Sequence, residues 1–184
     1  MKHIVTTITG SEIVTLTEIK AHLRISDTSM DDILTVYLKT AREYCETYLN
    51  RALISQTIIQ IRDGFPSESE MWLDLFAESV TITKIEYLLD DTWTTLSSSN
   101  YRLDAISAPN RVILKNDCLW PQTDYGNATV KITYGVAVTA IKNKCKSAIL
   151  LMVGDMEANP ENPTRNFPTL ADKLLSLDRI AYYE

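Results

Sequence analysis

The 184-residue chain holds only five glycines, two histidines and three cysteines. Neither GxGxxG nor GxxxxGK[ST] occurs, so no backbone cradle for phosphate is expected and nucleotide binding has no support. Cys45, Cys118 and Cys145 are odd in number, widely spaced and never in a CxxC pair. That pattern speaks against a disulfide framework and against a zinc site, and makes a reducing cytosol the default. His3 falls in a terminus expected to be mobile, and His22 sits in a short helix with no carboxylate or cysteine at ligand spacing, so both read as surface residues. Long apolar runs are also missing. No stretch approaches the ~18 residues of a membrane span, and residues 1–10 carry one lysine and no apolar core of signal-peptide length, so a soluble, unexported chain is expected. Clustered basic charge is lacking too: a net charge of -6 and a pI near 5.0 argue against sequence-independent DNA binding, which needs Lys/Arg to displace counterions.

Paired carboxylates are present at Asp31-Asp32 and Asp90-Asp91. A nuclease-type metal site needs about three converging oxygens, and neighbours on a helix diverge by roughly 100°. A helix start and a turn explain the two pairs better. No catalytic, cofactor-binding or metal-ligating residue is assigned, and the chain is expected not to be an enzyme.

What the chain does have is pattern. Its 45% hydrophobic content fits one compact domain, or one domain with an inserted lobe, able to bury roughly 70% of its unfolded surface. Thr15-Leu16-Thr17-Glu18 reads as a capping box opening a helix to about Ile25. Ser29 is the expected cap of a second helix, with Asp31 and Asp32 in its first turn facing the positive end of the dipole. Leu34, Leu38, Ala41, Cys45, Tyr48 and Ala52 then recur at helical spacing, and Ile33, Tyr37, Tyr44 and Leu49 widen the stripe, so this helix is expected to meet core on one side and a partner surface on another.

From Gln56 to Tyr134 the period becomes two. Ile59 and Ile61; Met71, Leu73 and Leu75; Val80 and Ile82; Ile85, Tyr87 and Leu89; Val112 and Leu114; and Val130, Ile132 and Tyr134 read as half-buried strands of a small antiparallel sheet or sandwich. The phase change near Thr83-Lys84 calls for a bulge or a break, and Asp90-Asp91 for a hairpin turn. Helical spacing returns at Ile141, Cys145, Ala148, Met152 and Met156 and ends at Asn159-Pro160. After Pro160, Pro163 and Pro168, a last short helix is expected over Leu170, Leu174, Leu175 and Leu177, capped by Thr169. Tyr37, Tyr44 and Tyr48 read either as core and rim or as a subunit interface. Trp72, Trp93 and Trp120 read as strand-region core, and Lys142, Lys144 and Lys146 as a solvated surface.

Several runs carry a resemblance. Leu16-Thr17-Glu18-Ile19-Lys20-Ala21-His22-Leu23-Arg24-Ile25, the Asp31-Asp32 pair, Ala41-Arg42-Glu43-Tyr44 and Arg51-Ala52-Leu53 follow one another. With Phe65-Pro66, Asn100-Tyr101-Arg102-Leu103, Val130-Lys131-Ile132-Thr133-Tyr134-Gly135, Ala148-Ile149-Leu150-Leu151 and Leu174-Leu175 before Arg179, the layout resembles the head-tail connector (adaptor) proteins of tailed bacteriophages over almost the whole chain. Where members often carry a proline before the third helix, this chain has Val138-Thr139-Ala140.

The resemblance implies an α+β protein: a single connector domain over 1–184, with an α-helical bundle from 15–53 and 139–180 and an inserted small antiparallel β-sheet lobe over about 56–135. It implies a structural, non-enzymatic connector of a phage or prophage, located in the virion neck and in host cytoplasm during assembly. About a dozen copies would form a ring beneath the portal protein, extend the DNA channel and receive a downstream neck, stopper or tail protein. Double-stranded DNA would pass without sequence-specific binding, and no cofactor or membrane is implied. Tyr37, Tyr44 and Tyr48 are the expected subunit interface. Leu174, Arg179, Tyr182 and Tyr183, on an arm from Pro160 to Glu184, are the expected portal contacts, against the reading of a frayed terminus. The alternatives are another neck or tail-completion ring component, a DNA-packaging accessory with metal-dependent nuclease activity and, more remotely, a small ligand-binding β module.

Overall fold

The structure, a computed structural model, describes residues 2–124, 126–140, 143–161 and 169–180. In chain order these form β1 (Lys2–Ile8), α1 (Leu16–Leu23), α2 (Asp31–Leu49), β2 (Gln56–Arg62), β3 (Glu70–Trp72), β4 (Ser79–Leu89), β5 (Thr92–Thr95), β6 (Tyr101–Asp104), β7 (Arg111–Leu114), β8 (Val130–Ala137), α3 (Asn143–Ala158) and α4 (Thr169–Ser176). They fall into two compact units. One holds the strands, with residues 1–10 and 54–138 among its segments, and the other holds the helices over 11–53 and 139–180. No helix among the described residues is long and apolar enough to cross a membrane.

The β unit contains a five-stranded sheet in the order β1-β2-β8-β4-β5 and a three-stranded sheet in the order β3-β7-β6, with all pairings antiparallel. On central strand β8, Val130, Ile132, Tyr134 and Val136 are all buried, the period-two signature of a strand with one face on the core. The expected phase change is a bulge within one continuous β4: its register against β8 shifts between Ile82 and Lys84. The Asp90-Asp91 turn is also present. Both residues have positive φ, as a tight hairpin turn requires, and both backbone N–H groups donate to the Asp124 carboxylate at 2.9 Å.

Two expectations for these strands are corrected. The deeply buried positions of β2 are Gln56, Ile58 and Gln60, while Ile59 and Ile61 are intermediate. Gln60 is tolerated inside because its amide is satisfied, donating to Trp72 O at 3.0 Å and Asp74 Oδ1 at 2.8 Å and accepting from Asp74 N at 3.1 Å. His3 lies not in a loose terminus but in β1, at the edge of the large sheet, 3.8 Å from the Asp74 carboxylate. The chain leaves β1 through Gly10, where a Cβ would sit 2.7 Å from Ser55 N; Thr9 N and Gly10 N both donate to Ser55 O. Only glycine fits so close an approach. The Ser55 hydroxyl accepts from Val138 N at 3.0 Å, which anchors the start of the Val138-Thr139-Ala140 segment.

In the helical unit the capping box of α1 is complete. Glu18 N donates to the Thr15 hydroxyl at 3.2 Å and Thr15 N to Glu18 Oε2 at 2.7 Å. Ser29, however, does not cap α2: its N–H and hydroxyl both turn to Asp27, and Met30 occupies the cap position without a side-chain bond. Asp31 and Asp32 do occupy the first turn, and Asp31 accepts from Lys20 Nζ at 2.8 Å. The lysines expected to be a solvated surface are partly engaged, Lys144 with Asp178 and Lys146 with Glu18; Lys142, like Ile141 and Pro163, lies outside the described residues, and so does the side chain of Thr169.

Leu34, Leu38, Ala41, Cys45 and Leu49 of α2 are buried together with Cys145, Ala148, Ile149, Met152, Val153 and Met156 of α3. Leu34→Ala is therefore expected to cost about 2–5 kcal/mol, the transfer loss plus a cavity, measured by denaturant unfolding. Burial pushes the Cys45 thiol up to about 12, with Cys145 and Glu46 adding to the shift. Only the thiolate is nucleophilic, so iodoacetamide at pH 8 is expected to modify half-buried Cys118 in the native chain. Cys45 and Cys145 should react only on unfolding, as peptide mass spectrometry would read.

Candidate assembly surface

The long helix α2 is the natural place to look, because its inner face is spent on the core and its outer face is not. Ile33 and Val36 are exposed apolar residues, 40% and 54% accessible, beside exposed Lys39, Thr40, Glu43 and Thr47. Between the two faces lie Tyr37, Tyr44 and Tyr48, all half-buried. The rings of Tyr44 and Tyr48, one helical turn apart, stack with centroids 6.2 Å apart and planes 21° apart.

The tyrosines and the C-terminal arm, expected as separate sites, meet within one copy. Tyr44 hydrogen-bonds Asp172 of α4, and burial followed by that carboxylate raises the tyrosine pKa. The Arg179 guanidinium lies 5.5 Å from the Tyr48 ring centroid, within the range of a cation–π contact. Asn50 Nδ2 donates to Ile180 O at 2.9 Å, and Ile180 N donates to Leu49 O at 3.0 Å. Ala171 and Leu175 are fully buried, Leu174 is half-buried and Arg179 is exposed. An isolated helix of eight residues is unstable in water, so these contacts are what hold α4 on the bundle. Leu170 and Leu177 remain exposed at 54% and 85%. Tyr182 and Tyr183 lie outside the described residues.

Below this surface is a charge cluster that hydrophobic periodicity does not reveal. Arg42, 2% accessible, bonds Glu12 through Nε at 3.1 Å, Glu46 through Nη1 at 2.7 Å and Glu43 through Nη2 at 3.3 Å. Glu46 also accepts from Leu53 N at 2.8 Å, fixing the segment that follows α2. The available signal was the i,i+4 spacing of Arg42 and Glu46. Among the described residues no three His, Cys, Asp or Glu side chains converge as metal ligands would.

The family model of phage gp6-like head-tail connector proteins matches residues 13–100. No curated protein matches. Among solved structures, a chain in the neck of an empty GTA particle computed with C6 symmetry has a TM-score of 0.79 at 18% identity, covering 100% of this chain and 98% of that one. A chain in the virion of a native gene transfer agent (GTA) particle matches equally well. One in the neck of a native GTA particle computed with C12 symmetry has a TM-score of 0.69, again at 18% identity, over 97% of this chain and 98% of that one. Over residues 13–100 the chain thus resembles the phage gp6-like head-tail connector proteins, and over its whole length it shares its fold with these particle chains.

Proposed function

We propose that the chain works as a ring of about a dozen copies under the portal protein, extending the DNA channel and presenting a seat for the next neck or tail protein. The observation that carries this reading is the connector family match joined to a fold shared end to end with neck chains, the latter in particles reconstructed with six- and twelve-fold symmetry. The work proposed is positional and non-enzymatic. The net charge of -6 suits a channel through which DNA slides, since carboxylates repel phosphate where a basic lining would hold it.

Tyr37, with the exposed Ile33 and Val36, is the proposed contact between neighbouring copies, while Leu174 and Arg179 on the docked α4 segment face the portal. Tyr37→Asp tests the first half with least ambiguity, because Tyr44 and Tyr48 also hold α4. The expected result is a loss of rings by mass photometry with a melting temperature close to that of the parent, since interface residues are accessible in the free chain. Unchanged assembly by a folded variant would remove Tyr37 from the interface.

A further inference from the structure

The three-stranded sheet carries a feature that neither the core nor the α2 surface uses. Between β6 and β7 the chain turns through Ala105-Ile106-Ser107-Ala108-Pro109, and Ile106 at this tip is 96% accessible. The tip is braced from both sides. Asp104 accepts from Ile106 N and Ser107 N, each at 3.1 Å, and from the Ser107 hydroxyl at 2.7 Å. Fully buried Asn110 donates to Ala105 O at 3.2 Å and accepts from Ala77 N at 2.9 Å. A loop tip whose backbone is held this firmly has already lost much of the loop entropy that binding would cost.

The other end of the same hairpin opens into a cleft of about 760 Å³ lined by Arg102, Ile113, Leu114, Lys115, Asp117 and Cys118, among others. Leu119, next in sequence, is 84% accessible. The register runs from Asp104↔Arg111 at the tip to Tyr101↔Leu114 at the cleft, so the two ends lie roughly 10 Å apart at about 3.3 Å per residue and face opposite ways. A copy's tip therefore cannot reach its own cleft. Charge favours the pairing between copies: near the tip the carboxylates of Asp104 and Glu70 share one guanidinium, Arg111, whereas the cleft sets Arg102 and Lys115 against Asp117.

We propose that the Ile106 tip of one copy seats in the Ile113–Cys118 cleft of the next copy, a second contact between subunits beside that of α2. Two different patches at opposite ends of one element make a head-to-tail contact, the type that repeats from copy to copy and closes rings. The proposal rests on the ring reading above.

Disulfide trapping tests it, because Cys118 lines the cleft and the other two thiols are buried. Ile106→Cys, mildly oxidised in whichever sample forms rings, the chain alone or mixed with portal, is expected to give a ladder of dimers, trimers and larger species on a non-reducing gel, and Ile106→Cys combined with Cys118→Ser to give none of that ladder. No cross-link, a product that stops at dimer, or a ladder that survives loss of Cys118 overturns the proposal. Native mass spectrometry of the parent chain separates the two claims: rings without the cross-link overturn this contact alone, whereas absence of rings from both the parent and its mixture with portal speaks against the ring reading itself.

Discussion

Replacing Arg42 with alanine is expected to lower the stability of the helical unit by about 3–5 kcal/mol, the range for removing one partner of a buried ion pair. The guanidinium is 2% accessible and its donors are shared among Glu12, Glu46 and Glu43. Its loss leaves Glu46, 8% accessible, buried beside a cavity without its principal counter-charge. Arg42→Lys should recover little, because a point charge with a flexible stem cannot hold three carboxylates from three directions. Urea unfolding followed by far-UV circular dichroism gives the comparison. A loss no larger than about 1 kcal/mol, the scale of exposed pairs, would show that the cluster contributes no more than a surface contact.

Truncation after Asn159 should have the next largest effect. It removes fully buried Ala171 and Leu175, the Asp172 partner of Tyr44, the guanidinium beside Tyr48 and both hydrogen bonds to Ile180. The loss of Leu175 alone corresponds to about 2–5 kcal/mol, so a markedly lower melting temperature is expected along with at least a tenfold loss of portal binding in a pull-down. Stability and docking are separable here. Leu177, 85% accessible, contributes little to the fold, so Leu177→Asp should leave the melting temperature in place while weakening portal binding. A truncated chain that folds and binds at full affinity would rule the arm out.

How far the sequence reveals this fold depends on whether a residue's neighbours are local. The α1 capping box, the shift between Ile82 and Lys84 and the Asp90-Asp91 turn are read correctly because their physics lies within a few residues. β1 is missed although Ile4-Val5-Thr6-Thr7-Ile8 is wholly β-branched, a strand-favouring composition. It lacks period-two alternation, and its partner β2 lies some fifty residues away. The phase of β2 is misread because glutamines occupy its inward positions, and burial of Gln60 is paid for by Trp72 and Asp74, which no local pattern discloses. Ser29 fails as a cap for a local reason: Asp27, two residues back, is the stronger competitor for its N–H and hydroxyl. Arg42 and Ile106 escape in opposite ways, one a charge inside and the other an isoleucine in water. Both run against the hydrophobic pattern used to read the rest of the chain.

The tyrosines and the arm were each legible as candidates, but not their meeting within one subunit, because Tyr44 and Asp172 are more than a hundred residues apart. The most direct test of the connector reading is native mass spectrometry of the purified chain, alone and mixed with portal protein. The expected result is a closed ring of about a dozen copies in at least one of the two samples. A chain that stays monomeric in both and never associates with portal would contradict it.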